Sequence, residues 1–233
     1  MTVSGETDVT VEQAYLAATP YIDSDHAAVR AFAAPFAEIA DPKQRAIAAY
    51  YAVRDKFLYD PYSIEPTEAG MKASRVLETG RGFCVSKAVL LAAVARALNI
   101  PSRIGLADVK NHLATPRLRE LMGTDVFFYH GYTELLLDGR WVKATPAFNI
   151  ELCEKFRVLP LEFDGEQDSI FHPFDADQRR HMEYVADRGQ YADLPYADWL
   201  HGMTEAYPNL MRESLQRAVG GDFAAEADEM RTV

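Results

Sequence analysis

The chain has 233 residues, 48% of them hydrophobic and 25% charged, a composition typical of an ordinary globular domain and not of a disordered or fibrous protein. Its 24 basic and 35 acidic residues give a net charge of −11 without a long run of one sign, which argues against a nucleic-acid partner. The apolar runs are too short to cross a membrane, and the polar start lacks the features of a secretory signal. We therefore expect a cytoplasmic protein with no membrane partner.

The first third of the sequence is predicted to be helical. Ser24 is a candidate N-cap of a helix that contains Pro35, and this proline is expected to kink or split it. Asp41 and Pro42 begin the clearest helix, which is expected to end near Tyr59. The segment SRVLETG predicts one short helical turn before the glycines at positions 80 and 82.

A central helix of about four turns is predicted to begin at Cys84. Apolar residues follow at three- and four-residue steps, so Cys84 lies in the first turn on the inward face, and Asn99 suits the C-terminal cap. Thr115 and Pro116 predict the start of a second, small helix. Amphipathic helices return near the end of the chain in ADWLHGMTEAY and NLMRESLQRAV.

Strand patterns lie in the middle of the chain. SRIGLAD is a strand candidate, and VFFYHGYTELLLDGRWVKATPAF has the period-two spacing of two strands joined by an Asp138-Gly139 turn. RVLPLEF is a further strand candidate, whereas FDGEQDSIFHPFD and RGQYADLPY have the composition of loops. The order of elements predicts an α+β fold with a central helix packed on an antiparallel sheet and helical N- and C-terminal extensions. We expect one domain over residues 1–233, with a helical part at 1–60, a catalytic core at 61–160 and a C-terminal cap at 161–233.

Cys84 allows two interpretations. Free cysteine is among the most buried residue types, so a packing role is the simpler one, and both Cys84 and Cys153 are expected to be free thiols. A thiol at a helix N-terminus is also a candidate nucleophile, because unpaired N–H groups lower its pKa from about 8.5 to between about 3.5 and 7.5. In that interpretation Gly82 lets a substrate approach, and the N–H groups around Phe83 and Val85 stabilise an oxyanion.

A nucleophilic cysteine needs a base, and His130 is the best placed of the six histidines. Period-two alternation puts His130 on the same strand face as Phe128, Tyr132 and Glu134. A single histidine on a strand is more often structural, so this residue alone does not decide between the two interpretations of Cys84.

Two stretches, VLETGRGFCVSKAVLLAAVARALNIPSR and YHGYTELLLDGRWVKATPAF, together resemble the transglutaminase-like superfamily of cysteine enzymes. The shared pattern is a Gly-x-Cys helix start, an Arg-Ala-x-x-Ile-Pro-x-Arg helix exit, a strand histidine, a glutamate and a tryptophan. The resemblance covers residues 50–150 and implies a papain-like, transglutaminase-like core. It also implies that Cys84 is the nucleophile and His130 the general base.

One position departs from the family pattern: Thr145 stands where an aspartate usually follows the tryptophan-valine pair of the second strand. Threonine can accept a hydrogen bond from the imidazole but carries no charge to stabilise imidazolium. The consequence is a weaker base, a carboxylate recruited from elsewhere, or lost catalysis. Asn149 is a candidate to orient the ring instead. Glu134 is expected either to face the same side as His130 or to pair with a basic residue such as Arg103.

A second group of ligand-type residues comprises His172, Asp175, His181, Glu183 and Asp187. It lacks a tight spacing such as His-x-x-x-His, so loop-ordering hydrogen bonds are the expected role and no metal site is predicted. The same region is expected to wall the cleft around Cys84 with aromatic side chains, for which the candidates are Phe171, Phe174, Tyr184 and Tyr191.

The sequence favours an enzyme that transfers an acyl group through a Cys84 thioester, with a peptide, a protein or a small amide as substrate and with no cofactor. Hydrolysis of the thioester is favoured over transfer to a second amine, because bacterial relatives of this kind resemble peptidases more than crosslinking enzymes. The alternative is a binding or scaffold protein that keeps the fold and has lost turnover through the change at Thr145.

Overall fold

A central helix and an antiparallel sheet organise the chain. The computed structural model describes residues 11–112, 114–171, 181–217 and 219–229. The helices are α1 (Val11–Ala14), α2 (Ala27–Ala37), α3 (Pro42–Lys56), α4 (Ala73–Thr79), α5 (Cys84–Ala97), α6 (Pro116–Met122), α7 (Ile150–Phe156), α8 (Tyr196–Ala206), α9 (Pro208–Leu215) and α10 (Phe223–Glu229). The strands are β1 (Leu58–Tyr59), β2 (Arg81–Gly82), β3 (Ser102–Asn111), β4 (Val126–Leu137), β5 (Arg140–Ala144) and β6 (Met182–Tyr191).

The four longer strands form one antiparallel sheet in the order β5–β4–β3–β6. The predicted hairpin is confirmed: Asp138 and Gly139 join β4 to β5 with φ angles of 51° and 76°, the left-handed values that an Asp-Gly turn adopts. β3 runs beside β4 and places Ala107 opposite His130. The parallel pair β1–β2 lies directly before α5.

Helix α5 lies at the centre because it is apolar on nearly every side. All of its residues from Cys84 to Arg96 are buried, which is the pattern of a helix inside a core and not of a surface helix. The hydroxyl of Thr133 in β4 donates to the carbonyl oxygen of Ala88 at 2.8 Å and ties the helix to the sheet. The predicted α+β fold, with a central helix on an antiparallel sheet, is confirmed.

Two predicted helix starts are confirmed by side-chain caps. Asp41 accepts a hydrogen bond from the N–H of Lys43 at 2.9 Å, and Thr115 accepts one from the N–H of Leu118 at 3.2 Å. Such caps satisfy N–H groups that have no partner within the first turn of a helix. Within the described ranges, no helix combines the length and the apolarity that spanning a membrane requires.

The start of α2 differs from the prediction. The cap is His26, whose Nδ1 accepts from the N–H of Ala28 at 3.3 Å, and not Ser24. Pro35 lies in the last turn of α2, and the helix continues to Ala37 without the expected split. A proline so close to the C-terminal end disturbs few of the hydrogen bonds that a mid-helix proline removes.

The strand predicted at RVLPLEF is wrong, because residues 157–163 form no strand. Val158, Leu161 and Phe163 are nevertheless buried, so this apolar segment contributes to the core as irregular chain. The strand β6 forms instead in a segment that includes part of a predicted loop, where it pairs with β3 at the sheet edge. Its exposed Tyr184 and Val185 break the alternation by which strands are usually predicted.

Candidate active site

The thiol of Cys84 lies in the first turn of α5. Phe83 is extended before the helix, and its N–H donates to the hydroxyl of Ser86 at 3.0 Å, which fixes the sharp entry of the chain. This bond uses the N–H of Phe83, which removes it from the predicted oxyanion donors. The position of Cys84 at the start of a central helix is as predicted.

Gly131 brings strand β4 against this helix start. A Cβ atom at position 131 would lie 2.6 Å from the Cα of Val85, a distance that backbone atoms cannot relieve without moving the strand. The close approach directs the N–H of Gly131 towards the Cys84 sulfur, alongside the N–H groups of Val85 and of Cys84 itself. These N–H groups favour a negative charge on or near the sulfur.

A β-bulge precedes His130 in β4. The pairing with β3 shifts between Ala107, opposite His130, and Val109, opposite Phe127. Tyr129 has a φ of 57°, and its N–H donates to Asp108 at 3.1 Å. A bulge re-aims the side chains beside it, so this irregularity sets the direction in which His130 is presented.

The His130 ring is almost fully buried, with 3% of the residue exposed. Its centroid lies 5.3 Å from that of Phe171 in an edge-on arrangement. Its Nε2 atom has no hydrogen-bond partner among the described residues. Phe171 is therefore the member of the predicted aromatic wall that reaches the histidine.

Cys84 and His130 line one small cavity of about 30 Å³. Most of its other walls are apolar or aromatic, and α8 and α9 close it with Met203, Tyr207 and Leu210. Only 7% of Cys84 is exposed. The two residues that the sequence singled out are thus brought together, under a cover formed by the C-terminal helices.

Burial shifts the pKa values of both residues towards their neutral forms. It raises the pKa of the Cys84 thiol to about 11, although the N–H groups of Gly131 and Val85 act in the opposite direction. It lowers the pKa of the His130 imidazole to about 4. The expectation that the helix N-terminus lowers the thiol pKa is therefore wrong for this covered conformation, because loss of water outweighs the favourable N–H groups.

Thr145 follows the end of β5 and is 1% exposed. Its carbonyl oxygen accepts a hydrogen bond from the Tyr50 hydroxyl at 3.1 Å, while its own hydroxyl has no partner within the described parts of the chain. No hydrogen bond joins it to His130 in these residues. Where the family pattern has a charged aspartate, this chain has a neutral hydroxyl that makes no hydrogen bond within the described residues.

Asn149 and Glu134 are engaged elsewhere. The Asn149 side-chain oxygen accepts the N–H of Tyr59 at 3.1 Å, so it holds β1 and does not orient His130. Glu134 pairs with Arg103 at 2.5 Å, which is the second of the two alternatives that the sequence left open.

Gly82 lies beside α5 for a packing reason. A Cβ atom there would meet the Ser86 hydroxyl at 2.5 Å and the Lys87 side chain at 3.3 Å. The glycine therefore allows β2 to lie against the helix, whereas the sequence suggested that it leaves room for substrate.

The described residues beyond 170 are engaged separately. In the described part of the chain, no three His, Cys, Asp or Glu side chains come together as metal ligands. Glu183 lies 3.0 Å from the ring of His112, and His181 is buried. His172, Phe174 and Asp175 lie outside the described residues. Tyr184 of the predicted aromatic wall and Asp187 of the ligand-type group line a different cavity.

Comparison with known proteins identifies the family. The model of the transglutaminase-like superfamily matches residues 30–146, half of the chain, and this range includes Cys84, His130 and Thr145. The chain belongs to the transglutaminase-like superfamily. A solved "putative cysteine protease" from Cytophaga hutchinsonii is similar at 18% identity and a TM-score of 0.45, over 76% of this chain and 53% of that one. This chain thus spans about half the length of that protein, and no curated protein matches the sequence.

The transglutaminase-like match ends before α7, so β6 and the covering helices α8 and α9 lie outside it. Sequence analysis missed three residues that build the site: Gly131, Tyr207 and Lys87. Gly131 follows the histidine directly, and a glycine inside a strand pattern is a signal of close backbone approach. No local pattern distinguishes Tyr207, because its role depends on contacts with a distant strand.

Lys87 is fully buried one turn after Cys84. Its ammonium donates to the carbonyl oxygens of Arg54, Phe57 and Ala147 at 2.9, 2.6 and 2.7 Å. Burial lowers the pKa of Lys87 to about 7, whereas three acceptors favour the ammonium, since a neutral amine has only two hydrogens to donate. The three short contacts therefore indicate that the Lys87 side chain is a charged ammonium.

Proposed function

We propose that this protein is a cysteine enzyme that cleaves amide bonds by acyl transfer to Cys84, with His130 as the general base. One observation carries the proposal: both side chains line the same cavity, beside the N–H groups of Gly131 and Val85. A nucleophile, a base and preorganised N–H donors are the parts that acyl transfer needs. The transglutaminase-like family assignment supports the same combination.

In the proposed reaction, His130 takes the thiol proton as the Cys84 sulfur bonds to the carbonyl carbon of the amide. The carbonyl oxygen becomes an oxyanion, for which Gly131 and Val85 supply candidate N–H donors. The imidazolium gives its proton to the amide nitrogen, the C–N bond breaks, and a thioester remains on the enzyme. Water then attacks the thioester, releases a carboxylic acid and restores the thiol.

The described conformation fits a resting form. A cavity of about 30 Å³ has room for about one water molecule and none for a peptide. The pKa values of about 11 for Cys84 and about 4 for His130 put proton transfer between them on the order of 10 kcal/mol uphill. Displacement of α8 and α9 admits both substrate and water, and water lowers that cost because burial is the main cause of both shifts.

A substrate screen tests the proposal. Wild type and Cys84→Ala are assayed on peptide, isopeptide and small amide substrates, and the protein is examined by mass spectrometry for an acyl adduct. We expect turnover only with the thiol present, an adduct on Cys84, and a loss of about 100-fold or more in His130→Ala. Equal rates for wild type and Cys84→Ala on every substrate reject the proposal.

A second candidate function, binding without turnover, is favoured by the unpaired hydroxyl of Thr145 near the histidine strand. Iodoacetamide labelling separates the two. The enzyme is expected to be labelled at Cys84 about tenfold faster than at Cys153, whose thiol pKa burial raises to about 12. Thr145→Asp is expected to increase turnover, because a carboxylate stabilises imidazolium. Equal labelling of the two cysteines, with no response to Thr145→Asp, supports the binding protein.

A further inference from the structure

A polar cavity of about 260 Å³ lies beside the start of α5, apart from the small cavity that contains the thiol. Its walls come from the chain after β1, from α4 and β2, and from the end of α9, and they include Gly82 and Ser86. Phe83 and Ile64 line both cavities. These two side chains therefore form the partition between the polar cavity and Cys84.

Three arginines line this polar cavity: Arg75, Arg81 and Arg217. Glu65, which also lines it, is shared by Arg75 at 3.0 Å and Arg217 at 2.9 Å. Glu78 pairs with Arg75 at 3.0 Å, and Asp60 pairs with Arg81 at 3.1 Å. An added anion therefore binds through the guanidinium donors that these pairs leave unused, and not through a net positive field.

Two of the arginines keep most of their hydrogen-bond donors. Arg81 uses only its Nη1, to Asp60 at 3.1 Å, and Arg217 uses only its Nη2, to Glu65, among the described residues. A guanidinium has five N–H donors, so both groups can bind a second acceptor. Their side chains are 51% and 78% exposed, and ion pairs this exposed are weak enough to rearrange around a ligand.

Ser214 of α9 provides independent evidence for a ligand. It lines the polar cavity and is only 5% exposed, yet its hydroxyl has no hydrogen-bond partner in the described ranges. A buried hydroxyl without a partner loses the hydrogen bonds that it makes with water, so such groups are normally satisfied. A carboxylate oxygen can accept from this hydroxyl and from a guanidinium at the same time.

We propose that the polar cavity binds a carboxylate of the substrate, on the residue next to the amide that Cys84 attacks, and that the substrates are acidic peptides. The planar carboxylate matches the fork of a guanidinium, and the position beside Gly82 and Phe83 puts the bound group on the other side of the Phe83 and Ile64 partition from the nucleophile. That the bound peptide is a substrate rests on the proposed function. Binding of its carboxylate in the polar cavity requires no reaction.

The test uses the full chain carrying Cys84→Ala, so that binding is measured without turnover. N-acetyl-Glu-glycinamide and N-acetyl-Gln-glycinamide, which differ in one charge, are titrated by calorimetry at low salt. We expect the Glu peptide to bind about tenfold more tightly than the Gln peptide. Arg81→Gln and Arg217→Gln should each weaken the Glu peptide about five- to tenfold, and Ser214→Ala about threefold, with the Gln peptide unchanged.

Arg30→Gln is the matched control, because Arg30 is exposed on α2 and lines none of the cavities described above. Equal affinity for the two peptides, no measurable binding of the Glu peptide, or an equal loss in Arg30→Gln and Arg217→Gln each overturns the carboxylate site. Tight binding of the Glu peptide without turnover by the wild type supports the site while the proposed function fails. Equal cleavage of acidic and neutral peptides supports the function and rejects the site.

Discussion

At Cys84 and His130, burial has a larger effect on the pKa than the local position of each residue. The helix start and the N–H of Gly131 favour a thiolate, yet the pKa of the thiol is raised to about 11. The Gly-x-Cys start and the strand histidine are local patterns, which is why the sequence could identify both residues. Their protonation states could not be predicted, because they depend on how far α8 and α9 exclude water.

Acid titration of His130 is expected to destabilise the fold. Its pKa in the folded protein, about 4, lies below the value near 6.5 of an exposed imidazole, so the unfolded chain takes up the proton first as the pH falls. Stability is therefore full above pH 6.5 and is lost towards pH 4, by up to about 3 kcal/mol. Urea unfolding at pH 7, 5.5 and 4 measures this loss.

The His130→Gln variant, which does not titrate in this range, is the control. The wild type is expected to lose about 3 kcal/mol more than this variant between pH 7 and pH 4. The same pH dependence in both proteins contradicts a buried neutral imidazole at this position.

Lys87 joins three elements. Its ammonium binds carbonyl groups at the end of α3 and one after β5, while its backbone belongs to α5. The carbonyl of Ala147 lies in the loop that also carries Thr145 and Asn149. One side chain therefore sets the position of that loop relative to the nucleophile helix.

Lys87→Met is expected to lower the free energy of unfolding by about 3–5 kcal/mol, because three buried carbonyl groups lose their donor. Urea denaturation measures the change. Lys56→Met removes the same charge from an exposed position and should change stability by less than about 1 kcal/mol. Similar values for the two variants contradict the role assigned to Lys87.

Local signals explain which elements were predictable. Asp41 with Pro42, Thr115 with Pro116, and the Asp138-Gly139 turn each act within a few residues, and the elements that they begin or join are present. β6 could not be predicted, since an edge strand with exposed apolar residues lacks the alternation of a half-buried one. RVLPLEF was wrongly predicted to be a strand for the opposite reason. Its apolar pattern is that of a buried strand, but its buried side chains pack in the core without a strand partner.

The cover over the candidate active site joins distant parts of the molecule. The Tyr207 hydroxyl between α8 and α9 accepts the N–H of Phe128 at 2.6 Å and donates to the carbonyl of Val126 at 2.7 Å, which fastens the cover to β4. Trp199 of α8 is fully buried, and its Nε1 has no partner among the described residues. An unpaired buried donor lowers the stability of this covered arrangement. Sequence patterns predicted the two helices and a C-terminal cap over residues 161–233, but not that α8 and α9 close the thiol cavity, because long-range contacts determine that.

Tyr207→Phe is expected to raise the rate of iodoacetamide labelling at Cys84 about 30-fold, since it removes two hydrogen bonds of about 1 kcal/mol each from the closed form. Peptide mapping by mass spectrometry measures labelling at each cysteine, and Cys153 should not respond. Tyr191→Phe is the control, because its hydroxyl bonds within β6 and does not line the thiol cavity. An unchanged rate in Tyr207→Phe contradicts a cover held by this hydroxyl.

The burial of Cys84 also affects how fast its thiol is oxidised. Peroxide attacks thiolates, and sulfinic acid, once formed, is a dead end for a nucleophile. Under the proposed function, a sulfur that stays protonated and shielded between turnovers offers peroxide a target only while the helices part. The same cover would slow the entry of substrate and lengthen the chemical lifetime of the Cys84 thiol.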